Sequence, residues 1–221
     1  MKTPAGEPFS QELNKWLGGD GPKTIASLIE VFGNRSFAII ILLLMIIPAL
    51  PIPTGGIVHA FELVVMLLAL EMIAGFKKIW LPASWQNRKL GHFLEKRAIP
   101  IVIKYIRWFE KRSSPRLRKI LDWRPTTRIA GLFILVFTLG AFLSPPFTGL
   151  DTLPSVGVVL ICLAFILGDA MLLVLGILIG SLGLAIVIGL STLIVNLVHK
   201  LFKIDSETSI MIIKKYIFGG E

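Results

Sequence analysis

Very few side chains in the apolar parts of this chain could do chemistry, and they are unevenly placed. Between Ser36 and Gly75 the only ionisable groups are His59, Glu62 and Glu71, and between Ile129 and Val198 the only acids or bases are Asp151 and Asp169. A carboxylate in such surroundings costs ~2.5–3.5 kcal/mol on membrane-insertion scales, so each is expected to have a function or a partner. Glu62 follows His59 by three residues, which puts both on one face of a helix. Such a pair can hold a cation or pass a proton, or it can satisfy itself through a mutual hydrogen bond. Both readings stand on the residues alone. Asp151 is a second counter-charge if the turn that carries it is buried, and an ordinary acid if that turn is exposed. Asp169, directly after Gly168, reads as a cap on the apolar helix that follows. Glu71 lies near Lys77 and Lys78 and reads as a snorkelling interfacial group.

No catalytic residue emerges. The chain has no G-x-S-x-G, no P-loop, no H-E-x-x-H and no cysteine–histidine arrangement. The single cysteine, Cys162, rules out an intramolecular disulfide, and no metal-ligand spacing exists. The expectation is a non-enzyme without metal or cofactor. His92 and His199 sit in basic, surface-like contexts and need no role.

The elements that must position these groups are broken helices. The stretch "IIPALPIPTGGIVHAFE" (46–62) places prolines and glycines inside apolar sequence, immediately before His59 and Glu62. Proline removes a backbone donor, and lipid cannot satisfy the peptide groups that a broken helix frees, so such a break must be buried in protein or line a wet cavity. At an offset of 94 positions "PIPTG" (51–55) falls on "PPFTG" (145–149), matching Pro51 with Pro145, Thr54 with Thr148 and Gly55 with Gly149. Each break has an apolar arm before it and another after it. Paired Pro/Gly-interrupted segments in corresponding halves point to a transporter binding site. The alternative is a pair of ordinary kinks or surface turns. On the transporter reading, Pro51, Pro53, Pro145 and Pro146 make the breaks. The substrate is held by Glu62, Asp151, His59, Thr54, Gly55, Gly56, Thr148 and Gly149.

The composition agrees with a membrane chain. Hydrophobic residues make up 54% and charged residues 17% of the 221 positions, against ~25% charged in a soluble domain, and the mean hydropathy is +0.79. The net charge of +9 is concentrated: 15 of the 23 Lys and Arg residues fall between Lys77 and Arg128, against three acids there. A basic connection of this kind belongs in the cytoplasm, against anionic lipid head groups. No nucleic-acid-binding pattern accompanies it. The expected class is an all-α integral membrane protein built from two repeats of Pro/Gly-broken helical hairpins, crossing or re-entrant, with interfacial amphipathic helices.

Its expected parts are N-terminal interfacial helices (1–35), a first membrane repeat (36–76), a basic cytoplasmic amphipathic region (77–127), a second membrane repeat (128–170), a Gly-rich membrane helix or helix pair (171–198) and a C-terminal interfacial tail (199–221). Within the first part, residues 9–17 form a helix capped by Ser10, and residues 24–32 form another ended by Gly33. In the basic region Ile101, Val102, Tyr105, Trp108 and Phe109 follow helical spacing, with Lys104, Arg107, Lys111 and Arg112 projecting elsewhere. Arg35 and Arg128 lead the two first arms as interfacial anchors. Gly176-x-x-x-Gly180 is a close-packing pattern for membrane helices, and with the chain's small size it suggests a homodimer.

The strings "FGNRSFAIIILLLMIIPALPIPTGG", "WLP" (80–82) and "RIAGLFILVFTLGAFLSPPFTGLDTLPSVGVVLICLAFILGDA" resemble the ExoD family of bacterial membrane proteins. Gly33 and Arg35, Pro51 and Pro53, and Trp80 to Pro82 fill the family's pattern in the first half, and the likeness covers about residues 10–195. It implies a multi-pass protein of the bacterial inner membrane, associated with exopolysaccharide production and tolerance of alkaline conditions. A transporter of a cationic amino acid such as arginine, or of protons, fits both that association and the buried acids. The alternative is a non-transporting membrane factor that supports exopolysaccharide synthesis or export.

Overall fold

A computed structural model of the chain describes residues 8–50, 57–76, 78–80, 99–113, 121, 123–144 and 148–217. Among the described residues there are eight α-helices and no strand: α1 (Phe9–Gly18), α2 (Ile25–Phe32), α3 (Ser36–Met45), α4 (Ile57–Ala74), α5 (Ile99–Glu110), α6 (Arg124–Leu143), α7 (Thr152–Leu167) and α8 (Ala170–Ile217).

Apolar sequence is partitioned between two environments. In α3, nine of ten residues are buried, and in α7 eleven of sixteen are, so protein surrounds these two short helices on all sides. The longer helices around them turn an apolar stripe outward: Leu63, Leu67 and Leu70 on α4, Leu132 and Leu139 on α6, Leu178 and Leu182 on α8 are all exposed. Leucine stripes facing away from a filled core suit a lipid solvent. Among the described residues two segments are long and apolar enough to cross a membrane, Arg124–Leu143 and Ala170–Leu190.

The helices pair in a crossed pattern. α4 packs along α6, and α3 packs along α7; α6 and α7 also pack on each other, and α8 runs along α7. Glycine permits the closest of these approaches. A Cβ on Gly157 of α7 would stand 2.5 Å from the Gly180 Cα of α8, and one on Gly183 would stand 2.6 Å from the Pro154 nitrogen. The Phe137 ring of α6 covers Gly180. The glycine face of α8 is therefore spent on contacts within the chain, and the pattern that suggested a homodimer has an intramolecular explanation.

Several sequence expectations change in detail. α8 is one helix of 48 residues, ~72 Å at about 1.5 Å per residue, where a Gly-rich helix and a separate tail were expected. The second membrane arm starts at Arg124, not Arg128, because Pro125 occupies the first turn, where its missing N–H is tolerated. Ser10 is not the N-cap of α1: Pro8 precedes the helix, and Ser10 is buried in its first turn. Its backbone N–H and hydroxyl both donate to the Glu110 carboxylate, at 2.9 and 2.5 Å, so the end of α5 caps the start of α1. The second short helix is as expected, with Thr24 and Ser27 forming a reciprocal capping box and Gly33 ending it at φ +53°. On α5 the buried face is Ile99, Val102, Ile103 and Ile106, which leaves Ile101, Tyr105 and Trp108 exposed beside the cations.

Candidate solute or proton site

The site begins at the N-terminal turns of α4. His59 and Glu62 lie three residues apart on this helix, and His59 Nδ1 and Glu62 Oε2 share a hydrogen bond of 2.8 Å. The two side chains differ in access: His59 is 31% exposed and Glu62 is fully buried. Of the bonded pair, the imidazole is the member that can be reached from outside the protein. The His59 ring meets Phe142, near the end of α6, edge to face with centroids 5.2 Å apart. This aromatic contact fixes the imidazole plane from the opposite helix.

Among the described residues, Glu62 Oε1 has no hydrogen-bond partner. A buried polar atom left in this condition costs about 1–3 kcal/mol, which is the chemical opening at the centre of the site. Asp151 directly precedes α7, close enough to interact electrostatically with both His59 and Glu62. The turn that delivers it is tight. Gly149 adopts φ +69°, a left-handed conformation that glycine enters without penalty, and its carbonyl accepts from Thr152 N at 3.3 Å. Leu150 N donates to Thr148 Oγ1 at 3.4 Å in the same turn. Helices far apart in sequence, α4 and α7, therefore bring Glu62, His59 and Asp151 to one place, with Thr148 and Gly149 beside Asp151. Pro51, Pro53, Thr54, Gly55, Gly56, Pro145 and Pro146 lie outside the described residues.

Two buried hydroxyls belong in the picture and were missed from sequence. Thr138 Oγ1 on α6 and Ser155 Oγ on α7 are fully buried and have no partner among the described residues. Contacts of Gly131 with Ala69 and Met72, and of Phe142 with His59, set the antiparallel register of α4 and α6. That register puts Thr138 close to the level of Glu62. Ser155 lies one turn beyond Asp151, and its backbone N–H donates to the Asp151 carbonyl at 3.1 Å. The only sequence signal was a hydroxyl inside an apolar helix, which is usually satisfied by its own backbone.

The remaining acids and the arginines have structural duties. Asp169 caps α8, accepting from Met171 N at 2.9 Å and from Ser113 Oγ at 2.7 Å. Glu71 accepts from the Trp80 backbone N–H at 2.9 Å. The Arg128 guanidinium packs against Gly75 at the C-terminal end of α4, where a cation complements the helix dipole. Arg35 lies over the Phe9 ring at 5.9 Å. Among the described residues no group of three or more His, Cys, Asp or Glu is placed to hold a metal ion.

Comparison with known proteins places the whole core in one group. The family model described as "Exopolysaccharide synthesis, ExoD" matches residues 9–189. A protein of Synechocystis sp. described as uncharacterized is 25% identical over 218 residues, covering 96% of this chain and 98% of its own length. No solved structure matches the chain.

Proposed function

The chain belongs to the ExoD family, which makes it a membrane protein related to exopolysaccharide synthesis, and for this member we propose the transport of a small cationic solute or of protons through the site at Glu62. The observation that carries the reading is a fully buried carboxylate with one oxygen unpartnered among the described residues, hydrogen-bonded to a part-exposed histidine. A cation or proton arriving past His59 would meet Glu62 Oε1 and remove the cost of leaving it unpaired. Asp151 adds a second negative charge, and an intramembrane acid pair is the ordinary way to hold a cation in transit.

The two-repeat reading has support from the packing. Exchanging first arm for first arm and second for second turns the α4–α6 contact into the α7–α3 contact, and both occur. Site residues come from α4, just after one break, and from the residues leading into α7, just after the other, as expected for solute held where two broken helices meet. Nothing among the described residues selects a guanidinium over other cations, so arginine is one test solute among several.

The experiment is uptake into proteoliposomes of the full chain. Proton flux, or uptake of arginine, lysine or a polyamine, under an imposed pH gradient should be present in wild type and absent in Glu62→Gln and Asp151→Asn. No flux of any of these above empty liposomes would overturn the proposal and favour a non-transporting factor in exopolysaccharide synthesis.

A further inference from the structure

The outer face of α5 and the adjoining face of α1 enclose a pocket of about 380 Å³, lined by Asn14, Leu17, Lys104, Arg107, Trp108 and Lys111 among others. Lys104, Arg107 and Lys111 lie three and four residues apart, so they form one cationic stripe along the helix. No carboxylate among the described residues pairs with any of the three. The acid nearest in sequence, Glu110, is occupied by the Ser10 backbone N–H and hydroxyl. That contact also clamps α1 to α5, so the clamp builds the pocket while no carboxylate among the described residues neutralises its positive charge.

Two further observations identify the depth at which this pocket sits. Beside the cationic stripe, Ile101, Tyr105 and Trp108 are 39%, 44% and 49% exposed, an apolar and aromatic stripe that turns part of its surface outward. Just past the end of α5, Ser113 Oγ donates to Asp169, the cap of α8. Ala170–Leu190 is one of the two candidate membrane spans, so this bond ties α5 to the end of a span, at the boundary between hydrocarbon and water. Cations flanked by exposed aromatics at that level match a phosphate group with acyl chains below it.

We propose that the α1–α5 pocket binds the head group of an anionic phospholipid, with Lys104, Arg107 and Lys111 on the phosphate and Ile101, Tyr105 and Trp108 against the upper acyl chains. The site is separate from Glu62, and its occupant is a lipid of the bilayer, not a transported solute. It makes α1 and α5 a lipid-dependent collar around the α3–α7 core.

The test is binding of dihexanoyl phosphatidylglycerol to the detergent-purified full chain, with dihexanoyl phosphatidylcholine and inorganic phosphate as separate arms. A basic residue at an anionic surface contributes about 1 kcal/mol, roughly fivefold in affinity. The triple variant Lys104→Gln/Arg107→Gln/Lys111→Gln should therefore bind phosphatidylglycerol on the order of 100-fold more weakly. The single variant Arg107→Gln should lose about fivefold, and it carries the test if the triple variant does not fold. Wild type should prefer phosphatidylglycerol to phosphatidylcholine by at least about tenfold. Unchanged binding in the folded variants, or equal binding of the two lipids, would overturn the proposal. So would inorganic phosphate binding as tightly as the lipid, which would make the pocket a free-anion site.

Discussion

Replacing Glu62 by leucine separates a carboxylate kept for function from one kept for structure. Two terms of opposite sign are removed together. The variant loses the His59–Glu62 hydrogen bond, a charge-assisted contact of about 1.5–3 kcal/mol. It also loses the unpartnered Oε1, which costs the wild type about 1–3 kcal/mol in desolvation. The imidazole keeps its edge-to-face contact with Phe142 and is 31% exposed, not sealed in the core. Leucine is near enough in size to fill the space, and apolar replacement of buried ionic groups is often neutral or better. The net change should lie within about 2 kcal/mol of zero, a Tm shift of no more than about 8 °C for a chain of this size. Thermal unfolding in detergent measures it, and proteoliposome uptake of the same preparation should fall to background. A Tm loss above about 10 °C, recovered in the double variant His59→Leu/Glu62→Leu, would refute the reasoning. The pair would then be holding the helix, and the unpaired oxygen would carry no functional meaning.

Three other substitutions probe the scaffold. Asp169→Ala removes the α8 cap and strands the Ser113 hydroxyl, so stability should drop by about 1–2 kcal/mol; Asp169→Asn should keep most of it, with thermal unfolding as the measure. Gly157→Val puts side-chain atoms where Gly180 Cα already stands 2.5 Å from the added Cβ; at a backbone contact the cost should exceed the ~1–3 kcal/mol typical of overpacking, read as loss of the monodisperse peak in gel filtration. Glu110→Gln should weaken the α5 cap on α1 by about 1–2 kcal/mol, making trypsin cleavage at Lys15 and Lys23 several-fold faster while uptake is unchanged.

What could be read from the sequence depended on how local the governing physics is. Charge scarcity singled out His59, Glu62 and Asp151 because an ion in apolar sequence is costly wherever the chain later folds, and the structure brings these three together. The end of α2 was equally legible, since Gly33 in the left-handed region is a local stop. Partner choice was not. Gly176 and Gly180 advertise a close helix contact without saying which helix, and the answer is α7 of the same chain, where Gly157 offers the matching gap. Which apolar residues of α5 meet protein was not legible either. Ile101, Tyr105 and Trp108 share helical spacing as good as that of Ile99, Val102 and Ile106, and periodicity cannot tell a stripe bound for protein from one bound for lipid. The same ambiguity accounts for α3. An arm of ten residues, nine of them apolar, is too short to span a bilayer, but that ceases to be a difficulty once nine of the ten are buried in protein. A helix that never meets lipid need not match the membrane's thickness. Its end can then sit inside the protein, as Met45 and Ile46 do.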